Sequence, residues 1–186
     1  MAGVSEERGI VSVPIYSPDN EQYRLRVHQN GRAVDQNFGP AESLFRRYPR
    51  RWLLNGKPVP LTMQFEDQSG ISVNRSKYSE AQDVLEPDCC DGHVRAECVV
   101  LEFPTADVPP ELRTEDGTNR TFRFPLKHVP QDTCYAHSEI WCNQEGDIEL
   151  PYESPPKRVR DIFRAKLAAR VAERDPREFQ PVNAAE

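Results

Sequence analysis

Two stretches of this chain carry apolar residues at every second position and end in side chains that can titrate or hold an anion. In residues 120–129 the face of Phe122, Phe124 and Leu126 continues into His128. In residues 71–77 the face of Ile71 and Val73 continues into Arg75 and Lys77. Side chains two apart in an extended strand share a face, so each apolar face ends in a basic or titratable group. Further on, His137 and Glu139 share a face of residues 136–142. If these strand ends meet, His128, His137, Arg75, Lys77 and Glu139 ring one pocket mouth. Imidazoles exchange protons near neutral pH, while guanidinium and ammonium groups hold phosphoryl charge. The chemistry would be metal-independent phosphodiester cleavage or phosphate transfer, with the two histidines moving protons and Arg75 or Lys77 on the phosphate. The competing expectation is plain: strands leaving a core end in polar residues whether or not they meet.

Other residues suggest other chemistry. Cys90 and His93, and Cys134 and His137, form two C-x-x-H pairs, a spacing that tetrahedral zinc can use. Their separation matches no short zinc knuckle, and cysteines also serve as small core residues, so no cofactor is expected and zinc is the alternative. Residues 45–52 interleave Arg46, Arg47, Arg50 and Arg51 with Phe45, Tyr48 and Trp52. Guanidinium groups bind backbone phosphates and aromatic faces stack on bases, so this run could touch nucleic acid. It could equally be core aromatics with a solvated basic face. Phosphate-loop, dinucleotide, serine-hydrolase and zinc-protease motifs do not occur.

The elements that must position these residues are short. Seventeen prolines against nine glycines favour brief strands and stiff turns over long helices. Strands are expected at 9–16, 23–28, 59–65, 71–77, 96–103, 120–129 and 136–142, with turns at Asn30-Gly31 and Asn55-Gly56. Pro40 and Pro49 bracket an expected short helix over 40–48, and 79–92 reads as a helical turn and acidic loop. Residues 130–135 form the loop of a hairpin between the last two strands. The one long helix lies in 153–175, opened by Ser154-Pro155-Pro156. Along it Val159, Ile162, Phe163, Leu167 and Val171 recur at helical spacing, and Arg158, Arg160, Arg164 and other basic residues fill the remaining sides. That apolar stripe either folds back on its own domain or docks on a partner. The architecture expected is α+β: a β-rich, mostly antiparallel sheet with short helices in one domain over 1–152, then the amphipathic basic helix, then a flexible end over 176–186.

Charge is divided unevenly about the net of −6. Residues 79–118 carry eleven acids and two arginines, whereas 42–57 and 153–174 are each basic by four charges. Basic patches beside an acidic flank either pair with it or serve an anionic partner. The start of the chain is polar and acidic, no stretch suits a membrane span, and five cysteines make an odd set for disulfides. The expectation is a cytoplasmic protein with no membrane contact.

The segment Phe65-Glu66-Asp67-Gln68-Ser69-Gly70-Ile71-Ser72-Val73 resembles an F-x-D-x-x-x-(L/I)-S-V pattern. Residues 130–140, with Ala136-His137 and Ile140, resemble a P-x-x-x-x-A-H-x-x-I pattern. Together and in this order they are similar to small uncharacterised bacterial proteins without a known activity, over about residues 60–142. The resemblance implies a bacterial setting and singles out His137; Cys134 stands where those proteins usually carry a polar residue such as Asn, which weighs against zinc. Arg50-Arg51-Trp52 with residues 55–59 also resembles the opening of NAD-processing toxin domains of the RES type, although their acceptor Ser and Glu have no placeable counterpart. The functional expectation is an accessory or binding component of a protein or protein–nucleic-acid complex, of defence or toxin–antitoxin type, with another protein as partner and nucleic acid as a second possibility. The alternative is the small phosphodiesterase built on the His/His/Arg cluster.

Overall fold

Residues 98–104 are the most continuously apolar run of the chain, and such a run demands cover on both faces. A computed structural model gives the fold and describes residues 33–60, 63, 70–85, 97–114, 120–131, 134–144 and 156–179. Strand β5 (Cys98–Pro104) lies at one edge of a five-stranded sheet. Next to it comes β1 (Ser43–Pro49), then β4 (Ile71–Arg75), β9 (His137–Ile140) and β8 (Leu126–His128) at the far edge, every pairing antiparallel. A hairpin joins β2 (Leu53–Leu54) to β3 (Lys57–Pro58). Its turn residues Asn55 and Gly56 both have positive φ, 51° and 76°, as the expected Asn-Gly turn requires. A second sheet of three strands runs in the order β10 (Asn143–Gln144), β7 (Thr121–Arg123), β6 (Glu111–Arg113). Among the described residues the single α-helix is α1 (Lys157–Val171). The architecture is the α+β, β-rich, mostly antiparallel one that the strand patterns indicate.

Alternation along the strands divides the core. Leu44, Tyr48, Ile71, Val73, Val99, Leu101, Phe103 and Ile140 fill one face of the large sheet, and α1 and the small sheet cover it. The helix contributes Val159, Phe163, Leu167, Ala168 and Val171, so its apolar stripe folds back on its own chain. Phe163 stacks on Phe124 with ring centroids 4.1 Å apart. Ile162, expected in the stripe, is instead exposed. The opposite sheet face packs Phe45, Cys98 and Val100 against Ala81, Val84 and Leu85 of a 3-10 turn, with Phe179 alongside.

Two expectations are corrected. Residues 43–49 are a strand rather than part of a helix over 40–48, because pairing with both β5 and β4 outweighs the local helical signal of the two bracketing prolines. Residues 120–129 are two strands in different sheets. Pro125 lacks an N–H for the ladder, and around it the chain leaves β7 and enters β8. The strands expected at 9–16 and 23–28, and most of the one at 59–65, lie outside the described residues.

Each edge of the large sheet is bridged at one residue. On β5, Val100 and Arg177 exchange backbone hydrogen bonds of 3.0 and 2.8 Å, so the chain just past the helix lies along the strand. On β8, the Gln36 amide donates to the His128 carbonyl (3.0 Å) and accepts from its N–H (3.1 Å), imitating a strand residue. The packing of α1 makes a direct prediction. Phe163→Ala removes a fully buried ring with its stacking partner and should cost about 3–5 kcal/mol in denaturant unfolding. The exposed Ile162→Ala should change it by under about 1 kcal/mol.

Candidate functional site

The strand ends singled out by the sequence do gather, in part. Strands β4, β9 and β8 are neighbours, so Arg75, His128 and His137 lie at one end of the sheet. They do not share a face. Arg75 pairs in register with Leu44 and His128 with Ser138, which puts both on the core-facing side. His137 pairs with Asn74 and points to the other side. Glu139 lies two residues further along β9, opposite Ser72 and Lys127, toward the other end of the strands.

Arg75 is fully buried, a position that a guanidinium can hold only if its donors are satisfied. Residues 33–42 supply the acceptors. The two Glu42 carboxylate oxygens receive Nε (2.7 Å) and one terminal nitrogen (2.9 Å) in a bidentate fork. The carbonyls of Asp35 (2.5 Å) and Asn37 (2.7 Å) take two more N–H groups, and the Asp35 carboxylate stands 3.6 Å away. The Phe38 ring lies over the guanidinium at 3.9 Å. Lys77 is half exposed and pairs with Asp35 at 2.7 Å, where Tyr78 also donates its hydroxyl.

His128 is held as tightly. Its Nδ1 accepts the Asp35 backbone N–H (2.9 Å), which requires a neutral ring, and its Nε2–H donates to the Tyr135 carbonyl (2.6 Å). Tyr78 stacks on the imidazole with centroids 5.5 Å apart, and Tyr135 meets it edge-on at 4.8 Å. The Tyr135 hydroxyl reaches back to the Ala33 carbonyl (2.7 Å). Burial pushes the His128 pKa below the usual histidine value, and the Arg75 charge adds to this against the raising effects of the Tyr135 bond and Asp35. Hydrogen bonds from Lys77 and Tyr78 hold the Asp35 carboxyl well below the usual carboxylate range. Burial first, then the hydrogen bond to Asp35, pushes the Tyr78 phenol up to about 12.

Arg75 and His128 therefore clamp residues 33–42 onto the sheet end, with their hydrogen-bonding groups turned inward. A phosphate reaching Arg75 would have to displace Glu42 and Asp35. Sequence reasoning misses Asp35, Gln36, Glu42, Tyr78 and Tyr135. The first three lie 33 to 93 residues from their partners, and no local pattern carries that signal.

His137 is buried, its Nδ1–H donating to the Val129 carbonyl (2.8 Å). Nearby, Cys134 is buried against Asn74, with Sγ 3.4 Å from the amide nitrogen and 3.6 Å from the amide oxygen. Cys90 and His93 lie outside the described residues, among which no group of three or more metal-ligating side chains forms. Glu139 accepts from the Gly70 N–H (3.1 Å) and the Trp141 indole (2.7 Å), fixing the start of β4.

The arginine runs scatter. The Arg46 guanidinium donates to the Ser72 carbonyl (2.7 Å) within the sheet, and Arg47 is half-buried on the other face. Arg50 pairs with Glu178 at 2.6 Å, while Arg51 is exposed 5.8 Å from the Trp52 ring centre. Trp52 is 40% exposed and Leu54 65%, the latter at the hairpin turn. On α1, Arg158 is exposed, Arg160 half-buried, and Arg164 mostly covered and 3.7 Å from Asp161. Lys157, Lys166 and Arg170 are exposed with Arg158. No family model, curated protein or solved structure matches the chain.

The His128 geometry predicts a pH effect. A folded pKa below the unfolded value near 6.5 means that the unfolded chain binds the proton more readily. The stability that neutral His128 contributes is thus complete above that value and drains as pH falls below it. His128→Asn, which keeps an acceptor near Nδ1 but cannot titrate, should flatten the wild-type loss of thermal stability between about pH 6.5 and 5. Equal slopes in the two proteins would contradict the assignment.

Proposed function

We propose that this chain is a non-catalytic binding component of a larger assembly, contacting a protein partner through the outer face of α1. The observation that carries the reading is the division of that helix. Its apolar stripe is spent on the chain's own core, yet Lys157, Arg158, Lys166 and Arg170 remain exposed, with Ile162 38% exposed among them. Cations around an exposed apolar side chain suit a desolvated contact with an acidic surface. The reading requires no cofactor and fits a cytoplasmic setting. Among the described residues no helix is long and apolar enough to cross a membrane. The resemblance to small bacterial proteins supports a bacterial complex of defence or toxin–antitoxin type.

Phosphoryl chemistry is the weaker alternative. It would need Arg75 and His128, both buried and bonded to residues 33–42, and His137 and Glu139 on the opposite sheet face. Nucleic-acid binding has one specific observation in its favour. Trp52 is braced edge-on by Tyr48 at 5.9 Å and flanked by Arg51, a pairing that suits a stacked base and its phosphate. Affinity through that patch should fall steeply with salt and be lost in Trp52→Ala.

The test is purification from the native host as wild type and as the Arg158→Glu, Lys166→Glu double variant. The wild type should carry a protein partner, and the variant should lose it with an unchanged thermal melt. His137→Ala should keep both the partner and the cellular effect. A wild type that travels alone, a double variant that keeps the partner, or an effect lost with His137 would overturn the reading.

A further inference from the structure

The two sheets treat their edges differently. The large sheet closes β5 with Arg177 and β8 with the Gln36 amide. The small sheet ends at β6, beyond which no described strand pairs. The pattern of β6 can be read from its neighbours. Thr114 N–H donates to the Arg120 carbonyl (2.9 Å) and Phe124 N–H to the Pro110 carbonyl (3.0 Å), so residues 110, 112 and 114 turn their backbone groups toward β7. Alternation in an antiparallel ladder then turns the N–H and C=O of Glu111 and Arg113 outward. Unpaired groups of this kind are a template for another strand.

That edge borders a groove. One section, about 310 Å³, is lined by Leu112, Arg113 and Thr114 on the strand side and by Arg158, Ile162 and Lys166 on the helix side. A second, about 350 Å³, continues past Lys166 between Pro109-Pro110 and Ala169-Arg170. From 158 to 170 the helix runs about 18 Å, room for about five residues of extended chain. The lining is cationic at Arg113, Arg158, Lys166 and Arg170. Its acid, Asp107, is bonded to Arg174 at 2.6 Å. The exposed pairs of Arg113 with Glu111 (3.5 Å) and Arg170 with Glu173 (3.2 Å) are weak enough to yield to a ligand carboxylate.

We infer that β6 and α1 form a docking site for an extended acidic segment of a partner protein, which adds to β6 as a fourth strand of the small sheet. Side chains alternate along that segment, so those turned toward α1 lie against Leu112, Ile162, Arg158 and Lys166, and carboxylates on its other face meet Arg113. This mode, main-chain bonds for affinity and side chains for selection, explains why the cations border a strand edge that has no described partner. It rests on the helix-face reading above and adds the partner's conformation and charge.

The test uses a fluorescein-labelled (Glu-Val)4 peptide, the same peptide N-methylated at alternate residues, and a (Lys-Val)4 control, followed by anisotropy at low salt. The expected result is saturable binding of the first peptide, weakened at least about tenfold by N-methylation or by the lysine exchange. Arg113→Pro deletes an outward N–H without touching the β7 ladder, and should weaken binding comparably with an unchanged melt. Arg158→Glu with Lys166→Glu should do the same through charge. Absence of binding by the first peptide, or equal binding of its N-methylated form, overturns the strand-addition inference. If the native partner is nonetheless lost on helix charge reversal, the helix-face reading stands without it.

Discussion

A guanidinium enclosed away from water has to be matched bond for bond, and the end of the large sheet is organised around that requirement. Arg75 takes its counter-charge from Glu42 and its carbonyls from Asp35 and Asn37, so it draws residues 33–42 across the strand ends. Removing one member of such a buried group leaves the others desolvated and unpaired, typically at a cost of about 3–5 kcal/mol. The remaining contacts follow from this placement. Once Asp35 is held, its N–H meets His128 and its carboxylate collects Lys77 and Tyr78. With Gln36 beside it, the same segment closes the β8 edge.

This clamp takes up the hydrogen-bonding groups of Arg75 and His128. Arg75 and His128 are buried and held within the fold, whereas Trp52, Leu54 and the exposed residues of α1 lie outside the clamp. The hairpin carrying Trp52 and Leu54, and the cationic face of α1 beside β6, present side chains that the core does not claim. Among the described residues, the edge strand β6 has no further strand beside it, and it borders the arginines and lysines of α1.

Much of the architecture was legible in the residues. Period-two patterns located β4 and β9, a continuous apolar run located β5, Asn55-Gly56 marked its turn, and the spacing of Val159, Phe163, Leu167 and Val171 gave α1. These are local signals set by side-chain periodicity and turn chemistry. Two failures were local rules overruled at a distance. The segment 43–49 became a strand because it is paired on both sides, and Pro125 divided what alternation alone joined. The site was half legible. Strand parity put Arg75 and His128 each on an apolar face of its own strand, but that these ends meet with His137, and on which faces, depends on strand order and register, and the partners Asp35 and Glu42 on contacts over tens of residues.

The most direct measurement is hydrogen exchange over residues 33–42 in the wild type and in Arg75→Lys, which keeps the charge but loses the fork. The clamp predicts that the amides of Asp35 and its neighbours lose protection selectively while β1 and β5 keep theirs. Wild-type protection of residues 33–42 in the variant would show that Arg75 does not hold them, and the account would fail at its base.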